Sequence, residues 1–218
     1  MLIAPSVLDV KDDLLEEQVR ALSKNGADWI HIDVIDWNRT PVKRDYQLEP
    51  LRYAKCKPYN VHLMVDDAYK YIRAYSTIAD HITIQGTMRA QGDIEKQLEC
   101  IRNHRIKGGI ALNPDEPFAD IEPVIDKLHH LLFMTVFSGY GGQKFMPNVL
   151  EKVAAAHKFR AERNLRFLIG IDGGVNDQTV ELVRPFADYV VAGSYVMKAS
   201  DKRNAINSLR NTPKENMS

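Results

Sequence analysis

Short β-branched and aliphatic runs alternate with helix-periodic segments along nearly the whole chain. Residues 2–7 read as a strand, after which Leu14, Leu15, Val19 and Leu22 recur at helical spacing until Gly26 interrupts them. The same couple then repeats. Apolar runs at 29–34, 60–65, 82–85, 108–112, 131–136, 166–172 and 187–192 predict seven further strands. Helical patterns fall between them: 48–54, 68–78, a face carrying Ile94, Leu98 and Ile101, and 119–128. Pro147 stands at the expected first position of another helix, with Val149, Leu150, Val153 and Ala154 behind it; two more begin after Asn176 and across 204–209. The connection at 36–45 is the longest and most irregular.

Eight β/α units of this size predict a single-domain (β/α)8 TIM barrel over residues 1–210, with a polar, frayed tail at 211–218. The alternative, an open doubly wound sheet, lacks a GxGxxG turn after the first strand. Polar residues also fall where barrel enzymes place their sites. Ser6, His31, Asp33, His62, Gln85, Asn113, Thr135, Asp172 and Gly193 all stand at or just beyond strand C-terminal ends.

Composition removes several function classes. In 218 residues, 44% are hydrophobic and 8% aromatic, enough for a sizeable core. Lys plus Arg equals Asp plus Glu at 29 each, so no net charge steers nucleic acid or an anionic membrane. The first residues lack a basic, cleavable leader and no apolar run is long enough to span a bilayer, which predicts a cytoplasmic protein. Cys56 and Cys100 have no metal spacing and are expected as buried free thiols. His129 and His130 are expected in a surface turn, His81 at the opening of a strand, and His104 and His157 on helices, all structural or solvent-facing.

Residues two apart on a strand face the same way, so His31 pairs with Asp33 and His62 with Met64, both pairs able to face the barrel mouth. Asp172, on the seventh strand, approaches from the other side. Two imidazoles and two carboxylates brought together make a divalent-metal and proton-transfer site. Three successive loops, Ser138-Gly139-Tyr140-Gly141-Gly142-Gln143, Asp172-Gly173-Gly174 and Ala192-Gly193-Ser194, expose backbone N–H groups suited to a phosphate. No Lys or Arg is evidently dedicated to that anion.

Ala4-Pro5-Ser6-Val7-Leu8, His31-Ile32-Asp33-Val34-Ile35-Asp36, Val61-His62-Leu63-Met64, Leu112-Asn113-Pro114, Gly139-Tyr140-Gly141-Gly142-Gln143, Asp172-Gly173-Gly174-Val175 and Ala192-Gly193-Ser194 occur in one order from first strand to eighth. In this combination the chain resembles the ribulose-phosphate 3-epimerases. The resemblance implies inversion of C3 of a ketose phosphate, D-ribulose 5-phosphate to and from D-xylulose 5-phosphate. It implies one divalent metal ion (Zn, Fe(II), Mn or Co) held by His31, Asp33, His62 and Asp172, with Asp33 and Asp172 as the acid/base pair working through an enediolate. By the same resemblance Ser6, His62, Met64 and Met134 contact the sugar, and Gly141, Gly142, Gly173, Gly174, Gly193 and Ser194 hold the phosphate. A homo-oligomer is implied too.

Around this set the chain departs from the family. Met is usual where Ile35 stands, Gly at Trp37, His at Gln85 and Asn-Pro at Phe137-Ser138, and the loop reads Asn38-Arg39-Thr40-Pro41-Val42. These changes either reshape the pocket for another ketose phosphate, such as a hexulose 6-phosphate, or repack it. Two other classes compete. A decarboxylase or aldolase on a similar barrel needs a Lys beside the carboxylates, and none follows Asp33 or adjoins His62. A non-catalytic sugar-phosphate sensor has no use for an intact acid/base set.

Overall fold

Pairing runs in one direction around the sheet, β1-β8-β7-β6-β5-β4-β3-β2, and every pair is parallel. The strands are β1 (Leu2–Pro5), β2 (Ile30–Asp36), β3 (Tyr59–Val65), β4 (His81–Gln85), β5 (Lys107–Leu112), β6 (His130–Met134), β7 (Leu168–Asp172) and β8 (Tyr189–Ala192). A parallel bridge between Ser6 and His31 brings β1 back to β2, so the sheet closes as the predicted (β/α)8 barrel. The computed structural model describes residues 1–38, 40–86 and 94–210. The expected tail at 211–218 and Arg39 of the irregular loop lie outside these residues.

Helices α1 (Leu15–Lys24), α2 (Leu48–Ala54), α3 (Ala68–Tyr75), α4 (Ile94–Asn103), α5 (Leu150–Glu162), α6 (Val180–Val183), α7 (Ser194–Met197) and α8 (Lys202–Arg210) belong to the outer layer. In α1, Leu15, Val19 and Leu22 are buried against the barrel while Glu16, Glu17 and Lys24 flank the ends as the helix dipole favours.

Inside the barrel, alternation selects one residue in two from each strand. At the strand N-terminal end, the interior holds Trp29, His81, His130 and Tyr189. Neighbouring rings among the four lie 4.3–6.3 Å apart. The space comes from glycine on the strands between: a Cβ on Gly109 would overlap the His130 ring, and one on Gly170 the Tyr189 ring. Above this layer come Thr83, which bonds His130 Nε2 at 2.7 Å through Oγ1, and then the candidate site.

The same end carries a repeated device. Asp28, Asp80 and Asp188 each precede one of those inward rings, in the triplets Ala27-Asp28-Trp29, Ala79-Asp80-His81 and Ala187-Asp188-Tyr189. Each accepts the N–H of a residue on the preceding strand: Ile3 to Asp28 at 2.8 Å, Tyr59 to Asp80 at 2.8 Å, and Ile169 to Asp188 at 2.7 Å. Each also meets a cation from the outer layer, Arg210, Lys55 and Arg160 respectively. These clasps tie strand to strand and strand to helix away from the barrel mouth.

Three expectations are corrected. His130 is fully buried, because β6 begins one residue earlier than the apolar run indicates and the ring enters the space left by Gly109. Residues Phe118–Lys127 form 3-10 rather than α turns; they contain Pro123, which has no N–H and clashes with the preceding α turn. Cys56 is exposed in the turn after α2, between Lys55 and Lys57, and Cys100 is only half-buried on α4, so the thiols are free but not core. The short α7 is an addition to the predicted elements.

Candidate active site

Strand pairing sets the site. Asp33 lies opposite His62 in the β2–β3 register, and His62 opposite Thr83 in β3–β4, so the inward residues of β2 and β3 meet at one level. His31 Nε2 stands 3.2 Å from Asp33 Oδ1 and 3.6 Å from Asp172 Oδ2, although Asp172 comes from β7 across the barrel. His62 Nδ1 stands 3.4 Å from the same Asp33 oxygen. One ligand atom from each of the four residues lies within 4.8 Å of the others. Sequence spacing alone brought these four together, and the fold agrees.

This donor set suits a divalent cation. Two imidazole nitrogens and two carboxylate oxygens are borderline ligands for zinc and its first-row neighbours. His62 Nδ1 is buried, faces the cluster 3.4 Å from Asp33 Oδ1 and has no hydrogen-bond partner within bonding distance, so it is the ring nitrogen placed to meet a cation. The other side of Asp33 is already used: Ser6 donates from Oγ to Oδ2 at 2.7 Å and itself accepts the Leu8 N–H at 3.1 Å.

The electrostatics of the metal-free cluster are asymmetric. Burial favours a neutral Asp33, but His31 and His62 outweigh it and hold this carboxyl far below the usual range. Asp172 moves the other way: burial, opposed by His31 and reinforced by Asp33, pushes it up to about 7. Burial pulls His31 down, yet Asp33, helped by Asp172 and Asn60, leaves it raised. In His62 burial prevails over Asp33 and the pKa is lowered. One carboxylate is kept ionised beside another that can hold a proton near neutrality.

Above the cluster opens a cavity of about 870 Å³. Ser6, Asp33, Met64, Met134, Asp172, Gly141, Gly142, Gly173, Gly174, Gly193 and Ser194, all singled out in the sequence, line it. Gly173 and Gly174 have φ of +121° and +64°, and a Cβ there would strike Val136 and the Phe145 backbone. Thr135 steadies that loop by donating from Oγ1 to the Gly173 carbonyl at 2.6 Å. His62 reaches the cluster, is fully buried and is not among the residues that line the cavity.

Lys144 and Lys198 also line the cavity, two cations that strand-end reasoning missed because they follow a glycine loop and end α7. Of the divergent positions among the described residues, Phe137 and Ser138 reach the cavity wall, the first exposed and the second half-buried. Trp37 and Ile35 instead pack with Met64, Leu8 and Val42 in a small apolar cluster behind it. They therefore act on the pocket through Met64 and Leu8. Gln85 is fully buried behind His62, and Asn113 braces the next loop by accepting the Ser138 N–H at 3.1 Å.

Comparison with known proteins agrees with this geometry. The model of the ribulose-phosphate 3 epimerase family matches residues 2–197. The ribulose-phosphate 3-epimerase of Bacillus subtilis (strain 168) is 36% identical over 213 residues, covering 95% of this chain and 97% of that one. That of Synechocystis sp. (strain PCC 6803) is 33% identical over 216 residues, covering 97% and 94%. Among solved structures, thiamine phosphate pyrophosphorylase from Pyrococcus furiosus superposes with a TM-score of 0.63 at 19% identity, covering 96% of this chain and 93% of that one; this likeness is one of fold alone. On the family model and these relatives, the chain belongs to the ribulose-phosphate 3-epimerase family.

Proposed function

We propose that the protein interconverts D-ribulose 5-phosphate and D-xylulose 5-phosphate by moving a proton at C3 between substrate and the pair Asp33 and Asp172. The observation that carries this reading is the approach of both carboxylates to one imidazole from opposite walls: Asp33 Oδ1 at 3.2 Å and Asp172 Oδ2 at 3.6 Å from His31 Nε2. Inversion needs a proton acceptor on one face of C3 and a donor on the other; a single group would return the starting isomer. Asp33 and Asp172 supply one carboxylate oxygen to each face. Ser6 fixes the Asp33 carboxylate through Oδ2 and leaves Oδ1 toward the cluster.

His31, Asp33, His62 and Asp172 would hold one divalent cation, zinc, iron(II), manganese or cobalt, whose Lewis acidity stabilises the negative charge left when the C3 proton departs. The thioethers of Met64 and Met134 wall the sugar, and backbone N–H groups around Gly141, Gly142, Gly173, Gly174, Gly193 and Ser194 hold the phosphate, with Lys144 and Lys198 adding charge. A longer ketose phosphate, such as a hexulose 6-phosphate, is the second reading. The cavity favours it by continuing past Ser194 to Lys198, Ser200 and Asn204.

The test is to incubate metal-loaded protein with pentulose and hexulose phosphates in D₂O and follow deuterium at C3. The proposal expects deuterium in the product from D-ribulose 5-phosphate, and loss of turnover on chelation. Exchange confined to a hexulose phosphate would replace the substrate, and product without solvent deuterium would overturn the proton-transfer chemistry.

A further inference from the structure

Gln85, at the end of β4, does not line the cavity and is not one of the four cluster residues, yet its amide is held directly behind His62. It is fully buried. Its Nε2 lies 2.8 Å from His62 Nε2 and 2.8 Å from Ser138 Oγ, while its Oε1 is buried with no partner. Ser138 Oγ in turn donates to Asn113 Oδ1 at 2.8 Å. A chain of polar contacts therefore runs from Asp33 through His62, Gln85 and Ser138 to Asn113, linking β2 to the loops after β5 and β6.

A neutral imidazole carries one N–H and one lone pair, and the partner of one nitrogen decides which it is. As the amide stands, its NH₂ group donates to His62 Nε2, so the imidazole proton belongs on Nδ1 and points at Asp33 Oδ1. That tautomer has no lone pair for a cation. Ligation through Nδ1 requires the proton on Nε2, and a proton there needs an acceptor at the position now held by the amide nitrogen. Turning the amide by half a turn puts Oε1 in that place, where it accepts from His62 Nε2–H and, once the Ser138 hydroxyl turns from Asn113 Oδ1, from that hydroxyl as well. The two ends of an amide are near-isosteric, so both states fit one cavity.

We infer that Gln85 is a positioning residue that sets the tautomer of His62, its amide turning over as the cluster passes from metal-free to metal-loaded. The inference rests on the metal-binding reading of the cluster and adds a requirement to it. Holding the metal-binding tautomer needs an acceptor at position 85, which an amide offers once turned and a carboxylate offers directly; only the amide can also donate in the metal-free state. Partners of metal-bound imidazoles that orient the ring typically contribute 10- to 100-fold to affinity.

Two measurements on the full chain test this. Long-range ¹H–¹⁵N correlation of the His62 ring, recorded metal-free and with Zn²⁺, is expected to show the Nδ1–H tautomer changing to Nε2–H. Calorimetric titration with Zn²⁺ or Co²⁺ is expected to show affinity about 10- to 100-fold weaker for Gln85→Leu and restored within a few-fold by Gln85→Glu. An Nε2–H tautomer in both states, or wild-type affinity in Gln85→Leu, would overturn the role of Gln85 while leaving the metal site intact. Failure of the wild type itself to bind either cation would remove the metal site and this inference with it. Should Gln85→Leu not fold, the wild-type tautomer measurement decides alone.

Discussion

Asp33 and Asp172 differ in surroundings more than in chemistry: one lies under Ser6 and between two imidazoles, the other is partly open to the cavity. Under the proposed two-face mechanism, replacing either by Asn removes the acceptor or donor on one face only. Each variant is expected to lose on the order of 10²–10⁴-fold in kcat for epimerisation. Each should still wash label out of one epimer without forming the other, measurable by NMR in D₂O; equal inversion by either variant would contradict the two-face arrangement. At the opposite end of the barrel, His81 predicts a pH effect on stability. Burial, aided by Lys107 and His129 against Asp80, pulls it from 6.5 to about 4. The unfolded chain thus binds this proton more readily, so stability is full above about pH 6.5 and falls as the pH drops toward 4, by on the order of 3 kcal/mol. His130, lowered further by burial and by His81, adds in the same direction. Urea midpoints compared at about pH 7.5 and 5 should fall less in His81→Phe than in the wild type. His31, Asp33 and His62 were legible from period-two spacing, although β2 runs on to Asp36 and β3 to Val65 so that they lie within their strands and not at the ends expected, while Asp172 does end β7. His130 was not legible, since its burial depends on Gly109, a residue of another strand.

Among the elements, the clasps at Asp28, Asp80 and Asp188 replace a turn-by-turn seal with three local ties. Asp188→Ala removes the acceptor of the Ile169 N–H and the partner of Arg160 together. It should cost about 1–3 kcal/mol in denaturant unfolding, with kcat unchanged because the cavity is at the other end. All eight strands were legible in the alternation of apolar runs with helical periods. Helix type between β5 and β6 was not, because Ile121 and Ile125 keep a helical spacing through Pro123 while the proline forbids the α hydrogen bond. Helix α7 escaped notice for a related reason: four residues are too few to establish a period. The repeated Ala-Asp-ring triplet was present in the chain from the start, but its meaning depends on which N–H each aspartate meets, and that is a property of the closed sheet.

The whole molecule keeps candidate site and closure apart, with the cavity and glycine loops beyond the strand C-terminal ends, the His/Asp cluster inside the barrel beneath them, and the clasps and the ring layer at the other end. Among the described residues, no helix is long and apolar enough to cross a membrane. The ring layer also constrains how such a barrel can change over generations. Gly109→Ala alone drives a methyl into His130 and is expected to cost about 1–3 kcal/mol. Shrinking His130 alone leaves a hollow and strands Thr83 Oγ1 without its partner. Made together, the two changes should cost less than their sum, a departure from additivity that a double-mutant cycle in urea would read. Gly170 and Tyr189 form a second such pair. With both locks in place each step back taken alone costs stability, whereas Phe137, on the open wall of the cavity, can be replaced without disturbing the ring layer, so the two ends of the barrel answer to different constraints.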